Sequence, residues 1–116
     1  MNHYDAGING ELIAESFLCQ LGMVVIARRY RAADGEIDLI MRDQDTLVFV
    51  EVKARPRSAR GAGITAVTPG KIRRISHAAL AYMVELDCMD QPVRFDVIEI
   101  SRDGVLHIPN AFCASE

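Results

Sequence analysis

Two short runs of strand-forming residues, 36–41 and 46–53, are separated only by a polar Arg-Asp-Gln-Asp tetrapeptide at 42–45. A polar turn between two runs rich in Val, Ile, Leu and Phe predicts an antiparallel β-hairpin. When the turn is centred on the tetrapeptide, between its last two residues, Asp38 falls opposite Glu51. This pairing limits the possible folds strongly, because it fixes the register of two strands and the face that each side chain occupies.

Alternation along the second strand places Glu51 and Lys53 on one face, away from Val50 and Val52. A carboxylate and an ammonium on one face can act on the same substrate. We therefore expect these two side chains to share a site.

The first strand of the hairpin follows the same rule. Glu36 and Asp38 are predicted on one face, and Ile37 and Leu39 on the other. The register set by the turn also places Glu36 opposite Lys53, where it would be a partner for that ammonium or a charge at the edge of the site.

The facing carboxylates indicate a particular chemistry. Two carboxylates opposite each other across a ladder repel, and a divalent cation between them removes that cost. Asp38 and Glu51 would supply two oxygens to Mg²⁺ or Mn²⁺, and the carbonyl of Val52 a third. Lys53 would orient a water or stabilise the transition state at phosphorus. The pattern predicts a metal-dependent phosphodiesterase. The alternative is an exposed strand face with cross-strand ion pairs.

Glu11 is a further acidic candidate, in a predicted helix that also carries Glu15. If that helix packs on the sheet, Glu11 would reach the metal directly or through water. The alternative is a carboxylate near a helix N-terminus that suits the macrodipole. The sequence leaves both interpretations open.

Positive charge is segregated along the chain although the net charge is −3. Residues 53–77 contain seven Lys or Arg and no Asp or Glu. Such a stretch predicts a basic face that attracts phosphate, with a merely solubilising surface as the alternative. The predicted nucleic-acid-binding residues are Arg31, Arg55, Arg57, Arg60, Lys71, Arg73 and Arg74.

With 116 residues, half of them hydrophobic, the chain fits one domain over residues 1–116. No apolar run reaches the roughly 18 residues of a membrane span, and the first residues lack a signal-peptide pattern. We therefore expect a cytoplasmic protein without a membrane partner. The three cysteines match neither a disulfide framework nor a zinc spacing.

Hydrophobic periodicity predicts an α/β fold with a mixed sheet between two helices. A strand, a crossover helix and a second strand favour a parallel connection, whereas the first three strands favour an antiparallel meander. The predicted helices span residues 10–21 and 69–87, the second capped by Thr68. The predicted strands span residues 23–27, 36–41, 46–53, 93–101 and 105–108, with a loop at 54–66. The predicted buried stripe of the first helix is Leu12, Ile13, Phe17, Leu18 and Leu21.

Six blocks resemble a known family. They are Gly10-Glu11, Tyr30-Arg31, Gly35-Glu36-Ile37-Asp38-Leu39-Ile40, Val48-Phe49-Val50-Glu51-Val52-Lys53, Thr68-Pro69-Gly70-Lys71 and Arg94-Phe95-Asp96-Val97. On these blocks the chain resembles the YraN-like family of uncharacterised bacterial proteins. That family is similar to the restriction-endonuclease-like superfamily and, within it, to archaeal Holliday junction resolvases.

The resemblance implies an αβββαβ core and metal-dependent hydrolysis of phosphodiester bonds in DNA, including branched or junction DNA. The alternative is a catalytically silent nucleic-acid-binding module of the same fold. The implied catalytic residues are Glu11, Asp38, Glu51 and Lys53, of which the three carboxylates would bind Mg²⁺ or Mn²⁺. A homodimer is a further expectation.

Three positions depart from the family pattern. They are Arg29 before Tyr-Arg, Ala54 after Val-Lys, and Gly70 before Lys71. None of them is an expected metal ligand, so they bear on the binding surface rather than on the chemistry.

Overall fold

A computed structural model of the chain describes residues 3–32 and 34–115. Within them lie two α-helices and five strands. They are α1 (His3–Gln20), β1 (Val24–Ala32), β2 (Gly35–Asp43), β3 (Thr46–Arg55), α2 (Pro69–Glu85), β4 (Val93–Ser101) and β5 (Gly104–Phe112). A 3-10 helix, Ile64–Ala66, lies between β3 and α2. Neither α-helix in this part of the chain combines the length and the apolar character that crossing a bilayer requires.

The five strands form one mixed sheet in the order β1-β2-β3-β4-β5. β3 and β4 run parallel, joined by the crossover through α2, and the other neighbours are antiparallel. The predicted order of helix, three strands, helix and strand is confirmed, and it is compatible with an αβββαβ nuclease-like core. β5 completes the edge and is longer than the predicted 105–108.

The two helices cover different groups of sheet side chains, and β3 contributes to both. Leu47 and Phe49 of β3 join the buried cluster under α2, whereas Val48 and Val50 join the cluster under α1. A central strand buried in this way needs a continuous apolar run, which explains the sequence of β3. The polar residues at its carboxyl end, Glu51 onwards, therefore emerge from the middle of the core.

The start of α2 agrees with the prediction. Thr68 has an extended backbone, and its Oγ1 accepts a hydrogen bond from the Lys71 amide at 3.2 Å, with Pro69 at the first helical position. Such a cap contributes about 1 kcal/mol. It fixes where α2 begins, and so where Lys71 stands.

The predicted packing face of α1 is only partly right, because Leu18 is fully buried and Phe17 packs partly buried against the core, but the other three residues do not. The helix begins at His3 rather than at residue 10, and Leu12, Ile13 and Leu21 are half exposed. Ala14, which the predicted stripe omitted, is fully buried. At Gly10 the helix lies so close to β3 that small residues take part in the contact, and hydrophobicity alone does not identify them.

β1 is longer than the predicted 23–27, because it takes in the arginine-rich segment that follows. Tyr30 pairs with Ile37 and Arg31 with Glu36 in the β1–β2 ladder. The guanidinium of Arg28 is thereby presented to α1, where its Nε lies 2.6 Å from Glu15 Oε1.

Candidate functional site

The β2–β3 hairpin has the predicted register. Pairing runs from Asp43 with Thr46 to Leu39 with Val50, which centres the turn between residues 44 and 45. The ladder then ends, and the next residue on each strand is a carboxylate. Asp38 and Glu51 therefore stand where the two strands begin to separate.

At this point a hydrogen bond to the side chain of Asp38 takes the place of a ladder hydrogen bond. Asp38 Oδ2 accepts a hydrogen bond from the Val52 amide at 2.7 Å, so a side chain takes the donor that a neighbouring carbonyl would otherwise use. Strict alternation also ends here. Ile37 belongs to the cluster under α2 and Leu39 to the cluster under α1, so the prediction that both share a face is wrong.

Asp38 and Glu51 form an acidic pair, in which Asp38 is half-buried. Glu51 is only 5% exposed. Burial, the charge of Glu51 and a hydrogen bond with Glu51 raise the pKa of Asp38 to about 8, although the Val52 amide acts in the opposite direction. Two carboxylates this close and largely withdrawn from solvent cannot both ionise without cost, and they hold a proton or a cation between them. The pair thus has the donor atoms that Mg²⁺ or Mn²⁺ prefers.

Two lysines flank the acidic pair. Lys53 Nζ and Lys71 Nζ each lie 3.8 Å from Glu51 Oε1. Burial lowers the pKa of Lys53, and the charge of Lys71 adds to that effect, although Glu51 opposes it. The structure therefore places Lys71, predicted to bind nucleic acid, beside the carboxylates. Glu36 does not face Lys53, because the ladder has ended; its Oε2 lies 3.5 Å from Arg31 Nη2.

Glu11 points toward the site but is held by another partner. Its Oε1 lies 2.8 Å from Nε of Arg29 in β1. Burial raises the pKa of Glu11, and the charges of Asp38 and Glu36 raise it further, against the hydrogen bond from Arg29. In residues 3–32 and 34–115 no group of three or more His, Cys, Asp or Glu side chains is arranged to hold a metal. The structure thus brings together two of the three expected ligands.

Close packing of α1 on β3 explains why Glu11 stands where it does. A Cβ added at Gly10 would lie 2.7 Å from Ala54 Cβ, a distance that real Cβ atoms do not tolerate. Gly10 and the small side chain of Ala54 together let the helix approach β3. Glu11 is the next residue of α1 after Gly10, so it lies at the carboxyl end of that strand.

Three of the predicted basic residues line a cavity of about 440 Å³ next to the carboxylate pair. Gly35 is needed there, since a Cβ on it would lie 2.1 Å from the Arg74 carbonyl oxygen. Lys71 belongs to both the cavity and the acidic site. The lining residues are Arg31, Asp34, Gly35, Glu36, Lys71, Arg74 and Ile75.

The remaining predicted basic residues are exposed and lie elsewhere. Arg73 projects from α2 without lining this cavity. Arg55 ends β3, and Arg57 and Arg60 follow in the connection to α2. The backbone amide of Arg60 donates to Asp103 Oδ2 at 2.8 Å, which ties that connection to the β4–β5 turn. The structure therefore divides the predicted binding residues into two groups.

Sequence reasoning missed Glu99. This residue of β4 is fully buried and is the neighbour of Lys53 in the parallel ladder. Its carboxylate accepts hydrogen bonds from the backbone amides of residues 61, 63 and 64, a segment that we name the glycine loop. Although burial raises the pKa of Glu99, these amides lower it below its ordinary value. An acid between Ile98 and Ile100, two apolar residues of β4, is a signal that could have identified it.

Asp96, the other fully buried carboxylate of β4, has a structural environment. Arg94 contacts it through Nε at 2.8 Å and Nη2 at 3.0 Å, and His107 Nε2 lies at 2.8 Å. The Asn110 amide donates to it at 2.9 Å. Asp96 thus fastens β5 to β4 where their register shifts.

Comparison with known proteins places the chain in a family. A family model described as "Uncharacterised protein family UPF0102" matches residues 10–100. A UPF0102 protein of Geobacter sulfurreducens is 45% identical over 111 residues, 91% of this chain and 87% of that protein. A UPF0102 protein of Saccharophagus degradans is 38% identical over 115 residues, 98% of each chain. A third, from Shewanella sediminis, is 40% identical over 106 residues, 91% of this chain and 90% of that protein. The chain therefore belongs to the uncharacterised protein family UPF0102, which is the YraN-like family that its sequence resembles.

Proposed function

We propose that this protein is a nuclease that hydrolyses phosphodiester bonds in DNA with the help of Mg²⁺ or Mn²⁺. The observation that carries the proposal is the contact of half-buried Asp38 with buried Glu51 beside the ammonium of Lys53. An acidic pair withdrawn from solvent is costly even beside two ammonium groups, and a purely structural strand end has no need of it.

The residues present fit a divalent cation. Asp38 and Glu51 would hold it, and Glu11 would join them by leaving Arg29, since the charges of Glu11 and Asp38 already interact. The bound ion would lower the pKa of a coordinated water and neutralise charge on the phosphate. The remaining steps of the reaction would depend on side chains of the protein.

Lys53 is the residue proposed to act on the reacting phosphate. It is 8% exposed and lies on the same side of β3 as Glu51, so its ammonium has little freedom to turn away. From there it would donate a hydrogen bond to a phosphate oxygen and orient the attacking water. Lys71, at the same distance from Glu51, would neutralise the neighbouring charge.

The basic residues on both sides would bind the flanking phosphates. Arg31 and Arg74 line the cavity on one side, and Arg55 and Arg57 follow Lys53 on the other. Guanidinium groups bind phosphate through paired hydrogen bonds. DNA, including branched or junction DNA, is the substrate proposed from the family resemblance.

A cleavage assay tests the proposal. Labelled duplex, flapped and four-way-junction DNA, with an RNA duplex for comparison, would be incubated with Mg²⁺ or Mn²⁺. We expect cleavage by the wild type and a loss of about a hundredfold or more in Asp38→Asn, Glu51→Gln and Lys53→Met. Asp90→Asn, an exposed carboxylate outside the site, is the matched control. No cleavage by the wild type at high enzyme concentration, or equal cleavage by all variants, would contradict the proposal.

A catalytically silent nucleic-acid-binding module is the second candidate. The ion pair of Glu11 with Arg29 favours it, because it withholds the third carboxylate from a metal. This candidate predicts salt-dependent binding without turnover. Asp38→Asn would then leave binding intact, while charge reversal at Arg57 and Arg60 would abolish it. Turnover that depends on Asp38 would exclude this candidate.

A further inference from the structure

Both carboxylate oxygens of Glu99 accept hydrogen bonds from backbone amides. Gly61 donates to its two oxygens at 2.8 and 3.0 Å, Gly63 to Oε2 at 2.8 Å, and Ile64 to Oε2 at 3.1 Å. A carboxylate that accepts several amide hydrogen bonds can remain ionised when buried. Glu99 thus organises the glycine loop, residues 61–64.

The glycine loop lies directly on Lys53. A Cβ added at Gly63 would lie 2.8 Å from Lys53 Cβ and 3.2 Å from Glu99 Cγ. Gly63 is itself buried. The loop backbone therefore occupies the space into which the stem of Lys53 would otherwise relax.

A second set of hydrogen bonds holds the connection between β3 and the glycine loop in place. Besides the contact of Arg60 with Asp103, the Arg102 amide donates to the Ser58 carbonyl at 3.0 Å. Both contacts reach the β4–β5 turn, just beyond Glu99 along the chain. The loop over Lys53 is therefore fixed at its middle by Glu99 and at its start by this turn.

We propose that Glu99 is a positioning residue, which holds the glycine loop over Lys53 and so keeps the Lys53 ammonium at Glu51. Lys53 itself lies 3.8 Å from Glu51 Oε1, and the oxygens of Glu99 are taken by the loop amides. Glu99 therefore acts on Lys53 through the backbone of the loop. The inference deepens the proposed nuclease function, and it rests on that function only for its catalytic consequence.

The variant Glu99→Gln tests the inference, and Asp96→Asn is its matched control. Both remove the charge of a fully buried, multiply bonded carboxylate of β4, but Asp96 is bound by Arg94 and His107 rather than by the glycine loop. Circular dichroism would establish that each variant folds. Glu99→Ala, which removes every acceptor, serves as the stronger form of the test.

Two measurements on the metal-free protein do not require nuclease activity. The first is hydrogen exchange of the amides of Gly61, Gly63 and Ile64, which we expect to be about fivefold or more faster in Glu99→Gln, the change that one lost hydrogen bond produces. The second is acylation of the Lys53 amine at one fixed pH, read by mass spectrometry against Lys71. We expect a higher Lys53-to-Lys71 ratio in Glu99→Gln and an unchanged ratio in Asp96→Asn.

Each result of these measurements either supports or overturns the proposed role of Glu99. Unchanged amide exchange in Glu99→Gln and Glu99→Ala would overturn the role of Glu99 in holding the loop. Faster exchange with an unchanged Lys53 ratio would overturn the coupling to Lys53, and so would an equal rise of that ratio in Asp96→Asn. If the labelling shifts as expected while the wild type cleaves no nucleic acid, the positioning role stands and the nuclease proposal fails.

Discussion

Arg29 Nε lies 2.8 Å from Glu11 Oε1, so an arginine of β1 binds the carboxylate that faces Asp38 and Glu36. Arg29 has a positive φ of 53°, which is uncommon for a residue other than glycine and costs conformational energy. The protein thus maintains an unusual backbone conformation at the place where a cation neutralises Glu11.

Removing Arg29 should strengthen metal binding. In Arg29→Ala the carboxylate of Glu11 is released toward Asp38, and we expect affinity for Mn²⁺ to rise by up to about fivefold, the range of a partly exposed ion pair. Titration calorimetry would measure it. The double variant Arg29→Ala/Glu11→Gln should lose the gain. Equal affinity of wild type and Arg29→Ala would mean that Glu11 is not a ligand.

Asp38→Asn should stabilise the metal-free protein while abolishing its response to metal. Because the pKa of Asp38 is raised to about 8, its contribution to stability is fully present below its ordinary pKa and is lost as the pH rises toward 8. In EDTA at pH 8 we expect the free energy of unfolding of Asp38→Asn to exceed that of the wild type by roughly 1–3 kcal/mol. Urea denaturation at pH 5 and pH 8 measures the difference.

The same denaturation series with Mn²⁺ provides the contrast. Metal should stabilise the wild type and leave Asp38→Asn unchanged, because a neutral amide replaces one of two carboxylate ligands. Equal stabilisation of the two proteins by Mn²⁺ would show that the metal binds elsewhere.

The ionisation of Asp96 should determine how the free energy of unfolding falls at acid pH. Although burial raises the pKa of Asp96, its bonds with Arg94, the Asn110 amide and His107 lower it below the ordinary value. Its contribution is therefore present above the ordinary pKa and is lost as the pH falls through the lowered one. Asp96→Asn should lower the free energy of unfolding at pH 7 by about 3–5 kcal/mol. Between pH 5 and pH 2 this variant should lose less stability than the wild type loses. Asp90→Asn should retain the wild-type pH profile.

Two glycines near the start of α2 should respond in opposite ways to Ala. At Gly35 a Cβ would strike the Arg74 carbonyl, so Gly35→Ala should cost about 1–3 kcal/mol by displacing α2 from β2. At Gly70 the nearest atom is 3.6 Å away, so Gly70→Ala should stabilise the helix by about 0.5–1 kcal/mol. Thermal unfolding compares them, and a stable Gly35→Ala would disprove the steric argument.

Salt dependence should separate phosphate-binding arginines from the rest. With labelled DNA in EDTA, Arg57→Glu and Arg74→Glu should each lower affinity and reduce the slope of log K against log salt by about one. Arg42→Glu, on the β2 segment next to the hairpin turn, is the matched control and should retain the wild-type slope. Identical slopes in all three variants would remove Arg57 and Arg74 from the DNA-binding surface.

The parts of the structure that were predicted correctly depend on local interactions. The hairpin register follows from a short polar turn, and the start of α2 from Thr68 and Pro69. Contact of Asp38 with Glu51 follows from that register. These features need only neighbouring residues, so the sequence determines them directly.

The parts that were missed depend on how separate elements pack. The contact face of α1 was predicted only in part, at Leu18, because close approach at Gly10 also favours Ala14 over larger side chains. The partner of Glu11 depends on an unusual backbone conformation at Arg29, which no spacing rule indicates. Glu99 meets the glycine loop only because β4 lies parallel to β3.

That parallel pairing has a consequence for the order in which the site is assembled. The acidic pair belongs to a hairpin, whose short loop allows it to close early in folding. Lys53 and Glu99 are far apart along the chain, and contacts of such long range form slowly. We therefore expect the nascent chain to bring its two adjoining carboxylates together before it forms the covering that aligns the ammonium, which pulse-labelling hydrogen exchange during refolding would test.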